Sequence, residues 1–311
     1  MTVVGRLVNK KLLEACSGNE DKLSVFQNDP KNPLYSINSF KDMNLPENLL
    51  QGIHTMGFIR PSRIQSAALP QLIGDVPSNM IAQSQSGTGK TACFLLTCLY
   101  RIDSSKNYPQ AMVVCPTYEL ALQTADVCRQ MGQFIENLRI RNVVRGEMLP
   151  RNTRLTEQIL IGTPGKMIDW GLKHRFFDIS KLVVFVLDEA DVLIDMQSMR
   201  AQSLQLKERC PQNCQSLFFS ATFSNEILEF ASKMVSEPYY ILAIEQKQQS
   251  LDNIKQYYIE VMDENQKFEA LKSIYSAITI GQTFVFVETK ASARRLVERL
   301  RQVIFKFLIF F

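Results

Sequence analysis

Three short segments carry residue types suited to handling phosphate groups. The first, Ser84-Gln85-Ser86-Gly87-Thr88-Gly89-Lys90-Thr91, follows an apolar run and opens a segment of helical length. That strand–loop–helix setting is what a phosphate-binding loop requires. Small residues and glycines let backbone N–H groups approach phosphate oxygens, and a helix N-terminus adds partial positive charge. In this reading Lys90 neutralises the β and γ phosphates and the Thr91 hydroxyl ligates Mg²⁺. The strict pattern has Gly where Ser84 stands, so a plain Gly-rich turn is the competing reading. The second segment, Asp188-Glu189-Ala190-Asp191, directly follows the apolar run Lys181–Leu187. An unpaired buried carboxylate is costly, and a metal removes that cost. Asp188 is placed to bind Mg²⁺, directly or through water, and Glu189 to orient or deprotonate an attacking water, with Asp191 completing the acidic cluster. An acidic helix start satisfied by the helix dipole is the alternative. The third segment, Ser220-Ala221-Thr222, also ends an apolar run, where small hydroxyls often serve only as caps.

Other chemistry is poorly supported. Cys210-x3-Cys214 supplies two of the four ligands that structural zinc needs, and the histidines, His54 and His174, have no evident pairing with it. A Gly-x-Ser-x-Gly elbow and an Asn-Lys-x-Asp guanine-recognition pattern are both missing, which disfavours a hydrolase triad and a GTPase.

The elements that must position these residues can be read from apolar runs. Residues 80–82, 111–115, 142–144, 158–161, 181–187, 216–219 and 239–244 are short and rich in Val, Ile and Phe. Runs without polar alternation suit strands covered on both faces. Between them lie helical segments such as Thr91–Arg101 and Glu119–Asn137. Repeated β-then-α order predicts a doubly wound parallel α/β sheet, with ligands beyond the carboxyl ends of its strands. All three segments fall there. Polar Glu245–Ser250 reads as a linker. A second α/β unit then begins, with strands expected at Tyr257–Met262 and Thr283–Thr289 and helices at Lys267–Ile278 and Ala291–Leu300. Residues 1–39 are polar, with one amphipathic stretch, Leu7–Ala15, long enough for two or three helical turns.

Composition agrees with a folded, two-domain chain. The 311 residues are 46% apolar and 21% charged, which rules out a disordered or fibrous protein. Seven scattered cysteines fit a reducing compartment better than a disulfide framework. The N-terminus lacks a secretory h-region, and no apolar run approaches the roughly 18 residues that span a bilayer, so membrane insertion is not expected. The net charge of +4 is carried by residues from Arg294 onward, so bulk charge says nothing about nucleic acid.

Taken together, the motifs resemble those of a DEAD-box RNA helicase, over about Asn28 to Leu300. Gly57–Gln65, GFIRPSRIQ, resembles the family's Q motif, and Phe40 stands seventeen residues before Gly57, where the family keeps an aromatic. The resemblance implies that Phe40 stacks on adenine while Gln65 and the Arg60 backbone read its edge, selecting ATP. Without the motif, Phe40 reads as a core aromatic. Ser86, Gly87, Thr88, Gly89, Lys90 and Thr91 would hold the phosphates, and Ser220 and Thr222 would join the catalytic set. Pro116-Thr117-Tyr118-Glu119-Leu120-Ala121 resembles the family's PTRELA motif and Thr163-Pro164-Gly165-Lys166 its TPGR motif. Pro116, Thr117, Thr163, Pro164 and Gly165, with Arg145 and Gly146, would then contact RNA phosphates without reading sequence. Tyr118 in place of Arg, and Arg145-Gly146 in place of Gly-Gly, are similar to the mRNA-export branch of the family.

That branch implies a fold of two RecA-like domains, ATP and Mg²⁺ as cofactors, and single-stranded RNA or mRNP as substrate. It also implies a cytoplasmic-face nucleoporin and an export activator as partners, a monomeric state, and a place in cytoplasm and nucleus at the pore. A short inhibitory helix can precede the core in this branch, and Leu7–Ala15 is similar in position. The expected division is an N-terminal extension at 1–39, a first RecA-like domain at 40–245, a linker at 246–255 and the start of a second domain at 256–311. The resemblance stops after Leu300, and no HRIGRTGR-like segment, the family's source of arginine fingers, follows. Val303–Phe311 therefore reads as the end of a truncated or alternatively spliced product, or an erroneous gene prediction. The expectation is ATP binding with slow hydrolysis, weak salt-sensitive RNA binding and a loosely ordered second fragment. The alternative is a non-catalytic, ATP-loaded binding module. A nucleotide-dependent DNA-repair ATPase is disfavoured by the Q motif.

Overall fold

The structure is a computed structural model that describes residues 23–27, 39–83, 87–244, 257–277 and 283–303. It divides into two units, Met1–Leu251 and Asp252–Phe311. Leu7–Ala15, the linker 246–255, Ser86 and residues 304–311 lie outside the described residues.

In the first unit the apolar runs become strands. They are β1 (Leu23–Gln27), β2 (Asn79–Gln83), β3 (Ala111–Val114), β4 (Ile140–Val143), β5 (Ile159–Gly162), β6 (Val184–Leu187), β7 (Gln215–Ser220) and β8 (Tyr239–Ile244). One sheet of eight strands runs in the order β1-β8-β2-β7-β6-β3-β5-β4. Strands β2 to β8 are parallel throughout. Only β1 runs antiparallel, pairing Leu23 with Ile244 on β8. Residues 23–27 belong to the stretch the sequence presents as a polar extension. Five residues with broken alternation carry little strand signal until β8 supplies a ladder.

Successive strand residues point to opposite faces, and both faces are covered. On β2, Met80 and Ala82 join one core layer and Ile81 the other. The first layer is closed by α1 (Glu47–Thr55), α2 (Arg63–Leu72), α3 (Lys90–Arg101) and α4 (Tyr118–Met131). The second is closed by α5 (Pro164–Ile168), α6 (Ala190–Asp195), α7 (Gln197–Lys207) and α8 (Asn225–Met234). Neighbouring phenylalanines on β7 show the division. Phe219 packs against Phe94 on α3 at 5.4 Å between ring centroids, and Phe218 against Phe230 on α8 at 6.2 Å. Burying each such ring stabilises the fold by about 1.5–3 kcal/mol. Side-chain caps fix where helices start: Thr117 Oγ1 accepts from Leu120 N–H at 3.2 Å, and Ser224 Oγ from Ile227 N–H at 3.3 Å. Because β2 to β8 are parallel, the loops that leave their carboxyl ends all emerge along one edge of the sheet.

The second unit holds helices α9 (Glu264–Ala277) and α10 (Lys290–Val303). The Arg299 guanidinium lies 4.0 Å from the Phe268 ring centroid and donates to Asn265 Oδ1 at 3.3 Å. The strands expected at 257–262 and 283–289 do not form: the described residues of both segments carry no ladder. Tyr257, Tyr258, Met262, Phe284 and Phe286 are 80–93% exposed. High β-propensity expresses itself only where a neighbouring strand and a covered face exist, and this unit offers neither among its described residues. No helix among the described residues is long and apolar enough to cross a membrane.

Candidate functional site

Three adjacent strands, β2, β7 and β6, deliver the first group of functional side chains to the carboxyl edge. After β2 the loop turns through Gly87 at φ +84° and Gly89 at φ +96°, conformations that L side chains adopt only under strain. A Cβ on Gly89 would sit 2.5 Å from Gln65 Nε2 and 2.8 Å from Ser62 Oγ. The loop is thus held by the Q-motif segment itself. Gln65 is buried; its Oε1 accepts from Ser62 N–H at 2.9 Å and its Nε2 donates to the Gly89 carbonyl at 3.0 Å. Both functions of the Gln65 amide are therefore engaged inside the protein. Thr88 and Thr91 lie half-buried at the loop's end and in the first turn of α3.

Lys90 opens α3 and is only 6% exposed. Its Nζ stands 3.7 Å from Asp188 Oδ1 and 3.8 Å from Glu189 Oε1. Asp188 follows β6 and is fully buried; its N–H donates to the Val114 carbonyl at 3.0 Å, and its Oδ1 accepts from Glu189 N–H at 3.0 Å. Burial pushes its carboxyl up to about 6, with Lys90 opposing the shift. Glu189 takes a left-handed conformation, φ 48° and ψ 53°, just before α6 begins. Strained non-glycine residues of this kind cluster at functional sites, and this one directly follows the buried Asp188. Ser220, at the end of β7, donates its hydroxyl to the Thr222 carbonyl at 2.8 Å and accepts from Thr222 N–H at 3.4 Å. That closes the Ser220–Thr222 turn.

The same region holds buried oxygens without partners. Asp188 Oδ2, Asp191 Oδ1 and Gln83 Oε1 have no hydrogen-bond partner among the described residues. Oxygen-only donors, a half-buried threonine and an orphaned carboxylate suit a hard divalent cation such as Mg²⁺. Among the described residues no three His, Cys, Asp or Glu groups converge into a cage. Mg²⁺ ordinarily uses one or two carboxylates together with substrate phosphates, so the donor set fits it. Gln83 is a residue the sequence reading did not single out. It ends β2, and its Nε2 reaches the Ala221 carbonyl at 3.5 Å, bridging the phosphate loop's strand to the Ser220–Thr222 turn. A polar residue closing an apolar strand just before the loop was the available signal.

Beside this group lies a cavity of about 510 Å³ lined by Ser39, Ile59, Arg60 and Pro61. Arg60 and Ile59 are exposed there. Phe40 is not part of that lining. It is 2% exposed and packed within the first core layer. Its immediate neighbour Ser39 lines the cavity.

Three further strands, β3, β5 and β4, carry the second group. Pro116 is buried and Thr117 exposed after β3, the Thr117 hydroxyl capping α4. Thr163 N–H donates to the Val143 carbonyl at 3.2 Å after β5, Pro164 is the first residue of α5, and Gly165 is exposed. A Cβ on Gly165 would lie 3.3 Å from Gln202 Oε1 on α7, another residue the sequence did not flag. Arg145 and Gly146 are exposed after β4, and Gly146 has φ +96° with open space around it. Arg145 makes no ion pair among the described residues. The structure therefore brings the described residues that follow these strands to one edge, in two neighbouring groups.

Comparison with known proteins gives a consistent result. A family model for DEAD/DEAH box helicases matches residues 62–230. The human protein "ATP-dependent RNA helicase DDX19A" is 47% identical over 287 residues, which are 92% of this chain and 60% of that protein. The chain thus spans about 60% of the length of the curated relatives it matches. Among solved structures, S. cerevisiae Dbp5 bound to RNA and ADP BeF3 superposes with a TM-score of 0.78 at 38% identity, covering 86% of this chain and 68% of that one. A variant of S. cerevisiae Dbp5 bound to Nup159, Gle1, IP6 and ADP gives a TM-score of 0.62 at 38% identity, covering 83% of this chain and 67% of that one.

Proposed function

The chain belongs to the DEAD/DEAH box helicase family, and from that premise we propose that it binds ATP with Mg²⁺ behind β2, β7 and β6 and single-stranded RNA behind β3, β5 and β4. The observation that carries this reading is Lys90, a buried ammonium held between Asp188 and Glu189 with an orphaned carboxylate oxygen beside it. A buried cation facing hard-oxygen ligands is the arrangement a phosphate–metal pair completes. Gly87, Thr88 and Gly89 present backbone donors to the phosphates, and Lys90 turns from its carboxylates to the β and γ oxygens. Thr91 and Asp188 hold the Mg²⁺, which supplies charge neutralisation between phosphates when bound. Glu189 orients and deprotonates the attacking water, and Asp191, Ser220 and Thr222 keep that group in register. Adenine enters the cavity lined by Ser39, Ile59, Arg60 and Pro61, where the Arg60 backbone reads its edge. Gln65 connects that cavity to the phosphate loop through the Gly89 carbonyl.

RNA lies along Pro116-Thr117, Arg145-Gly146 and Thr163-Pro164-Gly165. These are mostly backbone and hydroxyl groups, which suit a sugar–phosphate chain without selecting its sequence. By similarity to the S. cerevisiae Dbp5 complexes with RNA, Gle1 and Nup159, the proposed role is RNP remodelling in mRNA export, at the cytoplasmic face of the nuclear pore. A nucleoporin and an export activator are the proposed partners.

The 311 residues contain no HRxGRxGR segment. An arginine finger is worth roughly 10³–10⁵ in rate, so these residues alone are proposed to bind ATP and hydrolyse it slowly. The same observation supports a second reading, an ATP-gated binding module that occupies RNA or a nucleoporin without turnover. ATP binding and turnover of the 311-residue chain, with and without single-stranded RNA and beside Glu189→Gln, test both. The expected result is saturable, Mg²⁺-dependent ATP binding in both proteins, with slow turnover lost in Glu189→Gln. Absence of ATP binding, or turnover unchanged by Glu189→Gln, overturns the assignment. Binding with no measurable turnover in either protein selects the module.

A further inference from the structure

Lys166, the one cation of Thr163-Pro164-Gly165-Lys166, is already engaged inside the protein. Its Nζ lies 3.2 Å from Asp169 Oδ2 and 5.5 Å from the Trp170 ring centroid. What this segment offers a ligand is therefore mainly uncharged. The Thr163 side chain makes no capping bond to α5, and Gly165 is exposed. A further uncharged group arrives from a different helix. It is the side-chain amide of Gln202, on α7.

Met199 and Leu206 pack α7 against the second core layer. Gln202 stands three residues after the first and four before the second, so it shares their inward side. It is half-buried there. A Cβ on Gly165 would meet Gln202 Oε1 at 3.3 Å and Nε2 at 3.6 Å. The amide thus lies against the bare backbone of Gly165, and neither of its polar atoms has a hydrogen-bond partner among the described residues. A glutamine on an outward face is satisfied by water. One turned inward against a neighbouring helix gives up part of that hydration, and a polar group so placed is costly until a partner arrives.

The proposed ligand at this place is single-stranded RNA, and its groups differ in what they can give an amide. Phosphate oxygens only accept, so they suit Nε2 and are repelled by Oε1. A ribose 2′-hydroxyl both donates and accepts, which matches an amide that carries one function of each kind. We infer that Gln202 is a specificity residue of the RNA site, whose amide hydrogen-bonds a ribose 2′-hydroxyl beside Gly165 and so favours RNA over DNA. This rests on the proposed course of RNA along Thr163-Pro164-Gly165. Glycine at 165 belongs to the arrangement, because a side chain there would crowd the amide. The role differs from that of Arg145, whose charge meets phosphates that RNA and DNA share.

Anisotropy titrations of the 311-residue chain at low salt test this, with a single-stranded RNA and an all-deoxy oligonucleotide of the same bases, deoxyuridine included. The two probes then differ only in the 2′-hydroxyl. Wild type should bind the RNA more tightly. Gln202→Ala should weaken RNA binding about 5-fold, the worth of one hydrogen bond, and leave DNA binding where it was. Arg145→Ala is the contrast and should weaken both probes alike. Alanine is a strong helix former, so α7 should tolerate the change, and circular dichroism checks that it does. Equal binding of the two probes by wild type, unchanged RNA affinity in Gln202→Ala, or equal losses on both probes in that variant overturns the inference. If Arg145→Ala still weakens RNA binding in those cases, the RNA reading stands without it. Binding of neither probe by wild type overturns both.

Discussion

Behind strands β2, β7 and β6 the functional groups are withdrawn from solvent, whereas behind β3, β5 and β4 they face it. Lys90 and Asp188 are 6% and 0% exposed, while Thr117, Arg145, Gly146 and Gly165 all stand open. The first region concentrates charge and leaves carboxylate oxygens unmatched. The second is built from caps, glycines and backbone groups whose hydrogen bonds are largely satisfied. The difference follows from what each would hold. A compact polyanion with its metal needs fixed, desolvated charge, because charge interactions strengthen as water is excluded. A polymer backbone passing over the surface needs many weak, evenly spaced contacts.

The contrast should break first at Lys90. Lys90→Ala strands the buried Asp188 beside Glu189, and removing one partner of a buried ion pair costs about 3 kcal/mol. Denaturant melts of Lys90→Ala without nucleotide should show that loss, and fluorescent-ATP titration should show affinity reduced by about 100-fold. Normal ATP binding by this variant would refute the role given to Lys90.

Asp188 gives an effect of opposite sign. Its carboxyl binds a proton more tightly in the folded chain, about 6 against an ordinary 3.8. Between those values the folded state holds the extra proton, so stability falls as pH rises and the whole penalty stands at pH 7. Asp188→Asn removes the charge and should raise apo stability at pH 7 by about 3 kcal/mol at most. The gain should shrink toward zero as pH falls below 4. The same variant should lose Mg²⁺-dependent ATP binding. A melt series from pH 4 to 8 checks both slope and sign; a variant less stable than wild type at pH 7 would contradict the buried-charge argument.

The exposed region should respond more weakly. Arg145→Ala should leave the melting curve unchanged and reduce the slope of log affinity for RNA against log salt by about 1. An RNA titration at several salt concentrations measures this. Loss of ATP affinity in Arg145→Ala would erase the distinction between the two regions.

Much of this was legible in the sequence, and the rest was hidden for physical reasons. Strands β3, β5, β6 and β7 are buried along their whole length, so each shows as an unbroken apolar run. Glycines at Gly87 and Gly89 and the acidic residues after Lys181–Leu187 mark, from spacing alone, the edge where Lys90 meets Asp188 and Glu189. β1 was invisible because its ladder depends on β8, more than two hundred residues away. The aromatic segments at 257–262 and 283–289 misled in the opposite direction, since Tyr, Val and Phe signal a strand whether or not a partner is present. Phe40 carried a motif position but not its own environment, and only packing shows the ring in the core. Gln65 carried its type but not its two internal hydrogen bonds, which join the Ser62 backbone to the Gly87–Gly89 loop.

Photo-crosslinking with peptide mapping tests the two-region account most directly, using an azido-ATP and a 4-thiouridine RNA on the same 311-residue chain. The account predicts nucleotide adducts confined to residues 59–65, 87–91 and 188–191, and RNA adducts confined to 116–118, 145–148 and 163–166. RNA adducts within the nucleotide set, or nucleotide adducts behind β3, β5 and β4, would contradict it.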